Sequence, residues 1–101
     1  MKIDVYENDK TISLKVYGDI ELITIKPFKE KLFEIGDKAN KDVEMDLYDV
    51  DYIDSSGIGI LIILLKLQKK KGKKFVIKKA SPRILDLFKL TSLTDLFELE
   101  I

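Results

Sequence analysis

The first seventeen residues alternate between polar and apolar positions. Within Lys2 to Glu7, Ile3 and Val5 share one face; within Thr11 to Tyr17, Ile12, Leu14 and Val16 do. A period of two marks half-buried strands, and Asn8-Asp9 between them is a turn signal, so the pair reads as an antiparallel hairpin that Gly18 ends. From Thr24 the period lengthens. Ile25, Phe28, Leu32 and Ile35 recur at steps of three and four, which places them on one face of a helix. Thr24 and Pro27 suit its first turn, Gly36 stands near its end, and Lys38 to Lys41 is its exit. Val43, Met45 and Leu47 alternate again as a strand, followed by a loop from Tyr48 to Asp54.

Ile60 to Leu65 is continuously apolar, a pattern shared by buried strands and buried helices. Its flanks decide for a helix. Serines precede it, Lys66 to Lys71 is mostly basic, and Gly72 suits a C-terminal cap, which matches the helix dipole. Phe75 to Ile77 reads as a strand. Ser81-Pro82 is an N-cap with proline at the first helical position, and Ile84, Leu87 and Phe88 line a short helix ending near Leu90. Phe97, Leu99 and Ile101 alternate as a last strand. The predicted order is β-β-α-β-α-β-α-β, a single α/β domain over residues 1–101. Its sheet is small and mixed, largely parallel with an antiparallel edge.

Composition narrows the function classes. The chain of 101 residues carries 18 Lys+Arg against 18 Asp+Glu, and a net charge of zero argues against holding nucleic acid or an anionic membrane by overall field. Without cysteine there is no disulfide, thiol nucleophile or Cys-metal site; without histidine there is no Ser-His-Asp triad. The polar start MKIDVYENDK is unlike a signal peptide, and the run Ile58 to Leu65 is too short to span a bilayer, so a cytoplasmic domain without membrane insertion is expected. Charged residues are 36%, with 17 Lys to one Arg, one Gln and two Asn, a composition like that of proteins from hot environments.

The densest chemistry lies between Asp46 and Gly59, at a strand's C-terminal end and a helix start, where open α/β sheets tend to bind ligands and partners. Asp54-Ser55-Ser56-Gly57 suits a helix cap, with side-chain oxygens meeting free N–H groups. It also suits a regulatory phosphosite. A phosphate is tolerated at a helix N-terminus, and it would add about −2 charge beside Asp49, Asp51 and Asp54, enough to repel a docked partner without refolding the domain. The same carboxylates also admit an aspartyl phosphoacceptor with Mg²⁺, using Asp54 or Asp49, although they follow one another along one loop. Gly57-Ile58-Gly59 lacks the third glycine of a dinucleotide loop. The run Lys69 to Lys74 is either a nucleic-acid patch or, better matched beside an acidic loop, a solvated helix end. Tyr48 and Tyr52 are either exposed partner anchors or lids on the core.

Several segments together resemble the STAS domains, and within them the stand-alone bacterial anti-sigma factor antagonists. Gly18-Asp19-Ile20 resembles the step after the family's second strand. Val43 to Leu47 followed by Val50 to Gly59 resembles its central signature, and Ser81 to Phe88 followed by Leu93 to Phe97 its C-terminal third. The resemblance implies a small mixed sheet with helices mainly on one side. It implies a non-enzymatic protein without cofactor or metal, which binds an anti-sigma factor that is also a serine kinase and so frees a sigma factor. It implies ATP-dependent phosphorylation of Ser55, with Ser56 the competing acceptor, and reversal by a serine phosphatase. The implied partner surface comprises Asp19, Glu21, Asp49, Asp51, Asp54, Ser56, Gly57, Ile58 and Gly59. Glu21 stands where many antagonists have Asp, the chain stops at Ile101 short of the final helix many members carry, and Glu21 to Thr24 is unusually apolar, which suits an altered partner or a homodimer. The alternative is a STAS interaction module of another assembly, a signalling complex or a lipid-transport system, in which Ser55 only caps a helix.

Overall fold

A computed structural model describes residues 1–100 and contains five strands and three α-helices: β1 Lys2–Glu7, β2 Thr11–Tyr17, α1 Ile25–Lys38, β3 Asp42–Asp49, α2 Ser55–Lys70, β4 Phe75–Ala80, α3 Pro82–Leu90 and β5 Glu98–Leu99. The strands form one sheet in the order β1-β2-β3-β4-β5. Only β1 and β2 are antiparallel; every later pairing is parallel. The hairpin turn is held by Asn8, whose side-chain oxygen accepts from the Lys10 and Thr11 amides at 2.9 and 2.8 Å.

Alternation along the strands divides the two faces of the sheet. Ile12, Leu14 and Val16 of β2 and Val43, Met45 and Leu47 of β3 are buried, and they join Phe28 and Leu32 of α1, Leu61 and Leu64 of α2, and Ile84 and Phe88 of α3 in one core. All three helices therefore cover that face. The other face presents Lys15, Glu44, Asp46 and Lys78, tied by pairs such as Lys15–Asp46 at 3.4 Å and Lys78–Glu100 at 2.8 Å. The period-two pattern of β2 and β3 is thus the pattern of a sheet covered on one side only.

Two helices cross closely where glycine allows it. Gly36 lies in the last turn of α1, near its end as expected, and a Cβ there would stand 2.6 Å from Leu67 Cδ1 on α2. The end of α2 is where its flanks put it: Gly72 follows with φ +72. Lys71, in the middle of the basic run, turns inward, and its ammonium donates to the carbonyls of Ile35, at 3.2 Å, and Ala39 at the end of α1. At least part of that run therefore closes helix ends rather than forming a uniform basic face. Buried Gln68 ties α2 to the chain just ahead of β3 and of β4, donating to the carbonyls of Lys41 and Lys74 at 2.8 and 2.9 Å.

Two expectations need correction, and one element was not foreseen. β3 continues through Tyr48 and Asp49, because pairing with β2 reaches Asp49 while the apolar alternation stops at Leu47. A 3₁₀ turn at Leu93–Asp95, entered through Ser92 with φ 60, precedes the last strand. That strand is shorter than expected: β5 is Glu98–Leu99, Phe97 packs into the core beside Phe88 and Phe75, and Ile101 lies outside the described residues.

Candidate functional site

The β2–α1 loop and the β3–α2 loop are zipped together beyond the end of the parallel β2–β3 pair. Gly18, with φ +91, turns the chain after β2, and its amide donates to the Asp49 carbonyl at 3.2 Å. Ile20 and Ile53 form a parallel bridge, with the Ile20 amide donating to Tyr52 O at 2.9 Å and the Asp54 amide donating to Ile20 O at 3.0 Å. Ile20, Val50 and Ile53 are buried, so both loops are anchored from below. Ser81 secures the second loop from α3. Its hydroxyl donates to Val50 O at 2.7 Å and accepts from the Ile84 amide at 3.3 Å.

Asp54 is where these connections meet. As the N-cap of α2 it accepts from the Gly57 amide at 3.1 Å through Oδ1, and the same oxygen takes the Ser56 hydroxyl at 2.5 Å. Its Oδ2 accepts from the Leu22 amide on the other loop at 2.9 Å. These bonds favour the ionised form. The Ser56 hydroxyl first, then the Gly57 and Leu22 amides, hold the carboxyl below its ordinary value of 3.8, against an opposing push from burial. A depressed carboxyl stabilises the fold in full above the unfolded value and ceases to do so as pH falls through the lower folded one. Asp54→Asn keeps a capping side chain but no charge. The melting temperature of wild type is therefore expected to exceed that of Asp54→Asn at pH 7, with the gap closing below about pH 4. Parallel melting curves from pH 7 to pH 3 would remove Asp54 as the source.

The two serines are not equivalent. Ser56 is half-buried and committed to Asp54. Ser55, the first residue of α2, is exposed, and its hydroxyl makes no hydrogen bond to the described residues. Gly57 is buried because nothing larger fits: a Cβ there would stand 2.6 Å from Ile20 Cγ2 and 2.7 Å from Ile53 Cγ2. Ile58 packs on the edge of the core, while a Cβ on Gly59 would meet nothing within 4 Å.

The acidic residues do not act as one group. Asp19 and Asp51 are exposed and Glu21 is half-buried on the zipped loops, while the carbonyls of Asp19 and Glu21 accept from the Thr24 hydroxyl at 3.1 and 3.3 Å. Asp49 turns to Lys15, 3.2 Å away, which also meets Asp46. The hydrogen bond to Asp49 leads the causes that hold the Lys15 ammonium above its ordinary 10.5. Among the described residues no three carboxylates gather closely enough to hold a metal ion. Tyr48 and Tyr52 are half exposed, so neither is a lid on the core. Sequence reasoning missed Lys15, whose alternation with Leu14 and Val16 marks it as outward-facing, and the Leu22 amide, for which no sequence signal exists.

The architecture is a five-stranded mixed sheet with helices on one face, and its candidate site is a pair of zipped loops that present, on the first turn of a capped helix, a serine with no side-chain partner among the described residues. These features define a small α/β module built around an exposed helix start. A family model described as "STAS domain" matches residues 2–101, and the chain belongs to that family. A protein named anti-sigma-B factor antagonist from Bacillus subtilis (strain 168) is 29% identical over 99 residues, covering 98% of this chain and 90% of the relative. Among solved structures, an anti-sigma factor antagonist from Mycobacterium paratuberculosis superposes with a TM-score of 0.83 at 22% identity, covering 98% of this chain and 84% of that one. The Bacillus cell fate determinant SpoIIAA in its phosphorylated form superposes with a TM-score of 0.75 at 12% identity, covering 99% and 92%. No helix among the described residues is long and apolar enough to cross a membrane.

Proposed function

We propose that this chain is an anti-sigma factor antagonist switched at Ser55. It binds an anti-sigma factor that is also a serine kinase, and binding releases the sigma factor. The kinase then transfers the γ-phosphoryl group of ATP to Ser55: the Ser55 oxygen forms the new P–O bond, ADP leaves, and the hydroxyl proton is lost. A serine phosphatase hydrolyses the ester and restores the binding form. The observation that carries this assignment is the division of labour between the serines, with Ser56 bonded to Asp54 and Ser55 exposed without a partner among the described residues. Membership of the STAS family and the name of the Bacillus subtilis relative support it.

The site suits an electrostatic switch. Phosphate at Ser55 stands at the positive end of the α2 dipole, so the fold tolerates it. It adds about −2 charge beside Asp19, Glu21, Asp51 and Asp54, and like charges facing a partner cost several kcal/mol. Asp54 acts mainly by fixing both loops. Asp49, held by Lys15, takes a smaller part in the partner surface than Asp19, Glu21 and Asp51.

The test is displacement. Adding the purified chain to a complex of an anti-sigma factor and its sigma factor from the same organism is expected to free the sigma factor. A sigma factor that stays bound at saturating antagonist contradicts the proposal. A stable complex with a partner that is no kinase would instead favour a STAS module of another assembly.

A further inference from the structure

The two edges of the sheet are unlike. β5 is two residues long, whereas β1 offers six, without proline and in unbroken register with β2. The free amides and carbonyls of an edge are a template for another strand, and sheets guard them with proline, a bulge or a central lysine. β1 carries none of these guards, since its one lysine, Lys2, stands at the end.

The hairpin fixes which groups are free. The Asn8 amide donates to the Thr11 carbonyl at 3.0 Å and closes a two-residue turn. Bonded pairs then recur at every second residue, at Tyr6–Ser13, Asp4–Lys15 and Lys2–Tyr17. The amides and carbonyls of Ile3, Val5 and Glu7 therefore point away from β2. A second copy of the same strand, laid antiparallel, meets all of them in one register. With Val5 opposite Val5 on a two-fold axis, Ile3 lies opposite Glu7, and every free group is used. Asp4 then faces Tyr6, a hydroxyl donor. Sliding the copy by two residues one way sets Asp4 against Asp4; sliding it the other way puts Ile3 opposite the turn.

The helix side of this edge suits the same occupant. Val5 is 41% exposed there. Beside it a groove of about 210 Å³ runs between β1 and α1, lined by Val5, Glu7, Ile12, Ile35 and Ala39. In the Val5-centred register the second copy brings its Ile3 next to Glu7 and its Val5 next to Val5, so two aliphatic side chains reach the mouth of the groove. The net charge of zero leaves no long-range repulsion between two copies.

We propose that β1 is a self-association edge, at which two chains pair β1 to β1 about Val5 and join their sheets into one. The α2 helix packs against α1 and β4 rather than β1, so Ser55 stays open on both copies. The proposal goes beyond the antagonist function and does not depend on it.

Sedimentation equilibrium of the full chain tests it, with melting measured on each variant. A pairing of this size is a weak interface, and a dissociation constant of roughly 10–100 µM is expected. Val5→Pro deletes an amide that β2 does not use, at an edge where proline is accepted, and is expected to weaken association about 10-fold or more. Val5→Lys sets two ammonium groups across the axis and is expected to do the same with the backbone intact. Crosslinking reads the register. The chain has no cysteine, so Val5→Cys carries a single thiol. Its two-fold mate stands about 5.5 Å away between Cα atoms, within disulfide reach. Under oxidised glutathione Val5→Cys is expected to form a covalent dimer and Lys2→Cys is not, because Lys2 lies opposite Asn8. A chain that sediments as a monomer up to about 1 mM overturns the proposal. So does a dimer that Val5→Pro and Val5→Lys leave intact, or that Lys2→Cys traps as readily as Val5→Cys. If the chain alone is a monomer and Val5→Pro instead weakens binding of the anti-sigma factor, the edge serves that partner, and the proposal falls while the antagonist function stands.

Discussion

Ser55→Asp is expected to weaken binding to the anti-sigma factor by about 100-fold or more while leaving the fold intact. Ser55 is exposed and bonds to no described residue, so the substitution breaks nothing inside the molecule. A carboxylate at the first turn of α2 gains from the helix dipole and loses to the neighbouring Asp54, and the two effects nearly cancel. Melting should stay within a few degrees of wild type. At the interface there is no such cancellation. A new negative charge joins Asp19, Glu21 and Asp51 on the surface the partner must desolvate, and a cost of about 3 kcal/mol corresponds to the stated loss. Ser55→Ala removes only a solvated hydroxyl and should bind as wild type. Asp carries about half the charge of phosphate, so true phosphorylation should weaken binding further. Calorimetry on the three proteins reads both outcomes, and equal affinities would reduce Ser55 to the start of a helix.

Gly57→Ala is expected to produce the largest loss of stability from a single methyl group. The added Cβ would lie at 2.6 and 2.7 Å from two buried methyl groups and 3.1 Å from the Ile20 carbonyl oxygen. Ile20 and Ile53 bridge the two loops and are wholly packed, so neither can rotate away cheaply. Overpacking of this kind costs about 2–3 kcal/mol, or roughly 10–20 °C in melting temperature for a domain of this size. The start of α2 can relieve the clash only by moving away from the Ile20 loop, which pulls Asp54 from the Leu22 amide and weakens binding as well. Thermal unfolding checks the first effect. A melting point within about 2 °C of wild type would show that the helix start yields where the packing says it cannot.

The fold was legible where one physical rule governs each position. Alternation at Ile12, Leu14 and Val16 and at Val43, Met45 and Leu47 reports a sheet covered on one side. Caps at Ser81-Pro82 and Gly72 mark helix ends through groups within a few residues. The apolar run Ile60 to Leu65 was ambiguous alone and became a helix only through its flanks. Where the chain departs from local pattern, the cause is always distant. β3 runs on to Asp49 because β2 lies alongside. Nothing near Asp54 predicts that its second oxygen takes an amide 32 residues away.

The site divides the same way. Its serine and carboxylates stand out by type and spacing, and the resemblance to STAS domains singled out Ser55 from Ser56. The different roles of the carboxylates were not legible, since the pairing of Asp49 with Lys15 depends on strand register. Nor was the contrast between Gly57 and Gly59, two residues apart in one motif: one sits against Ile20 and Ile53, the other against open space.

The proposed switch depends on which hydroxyl takes the phosphoryl group and on what that does to the complex. Incubating the chain with the anti-sigma factor of the same organism and ATP, then mapping the phosphate by mass spectrometry while following the complex by gel filtration, addresses both at once. The expected result is an acid-stable phosphate on Ser55 alone, with the complex dissociating in step with its appearance. Phosphate on Ser56, an acid-labile phosphate on an aspartate, or a complex that persists when Ser55 is fully phosphorylated would contradict the switch.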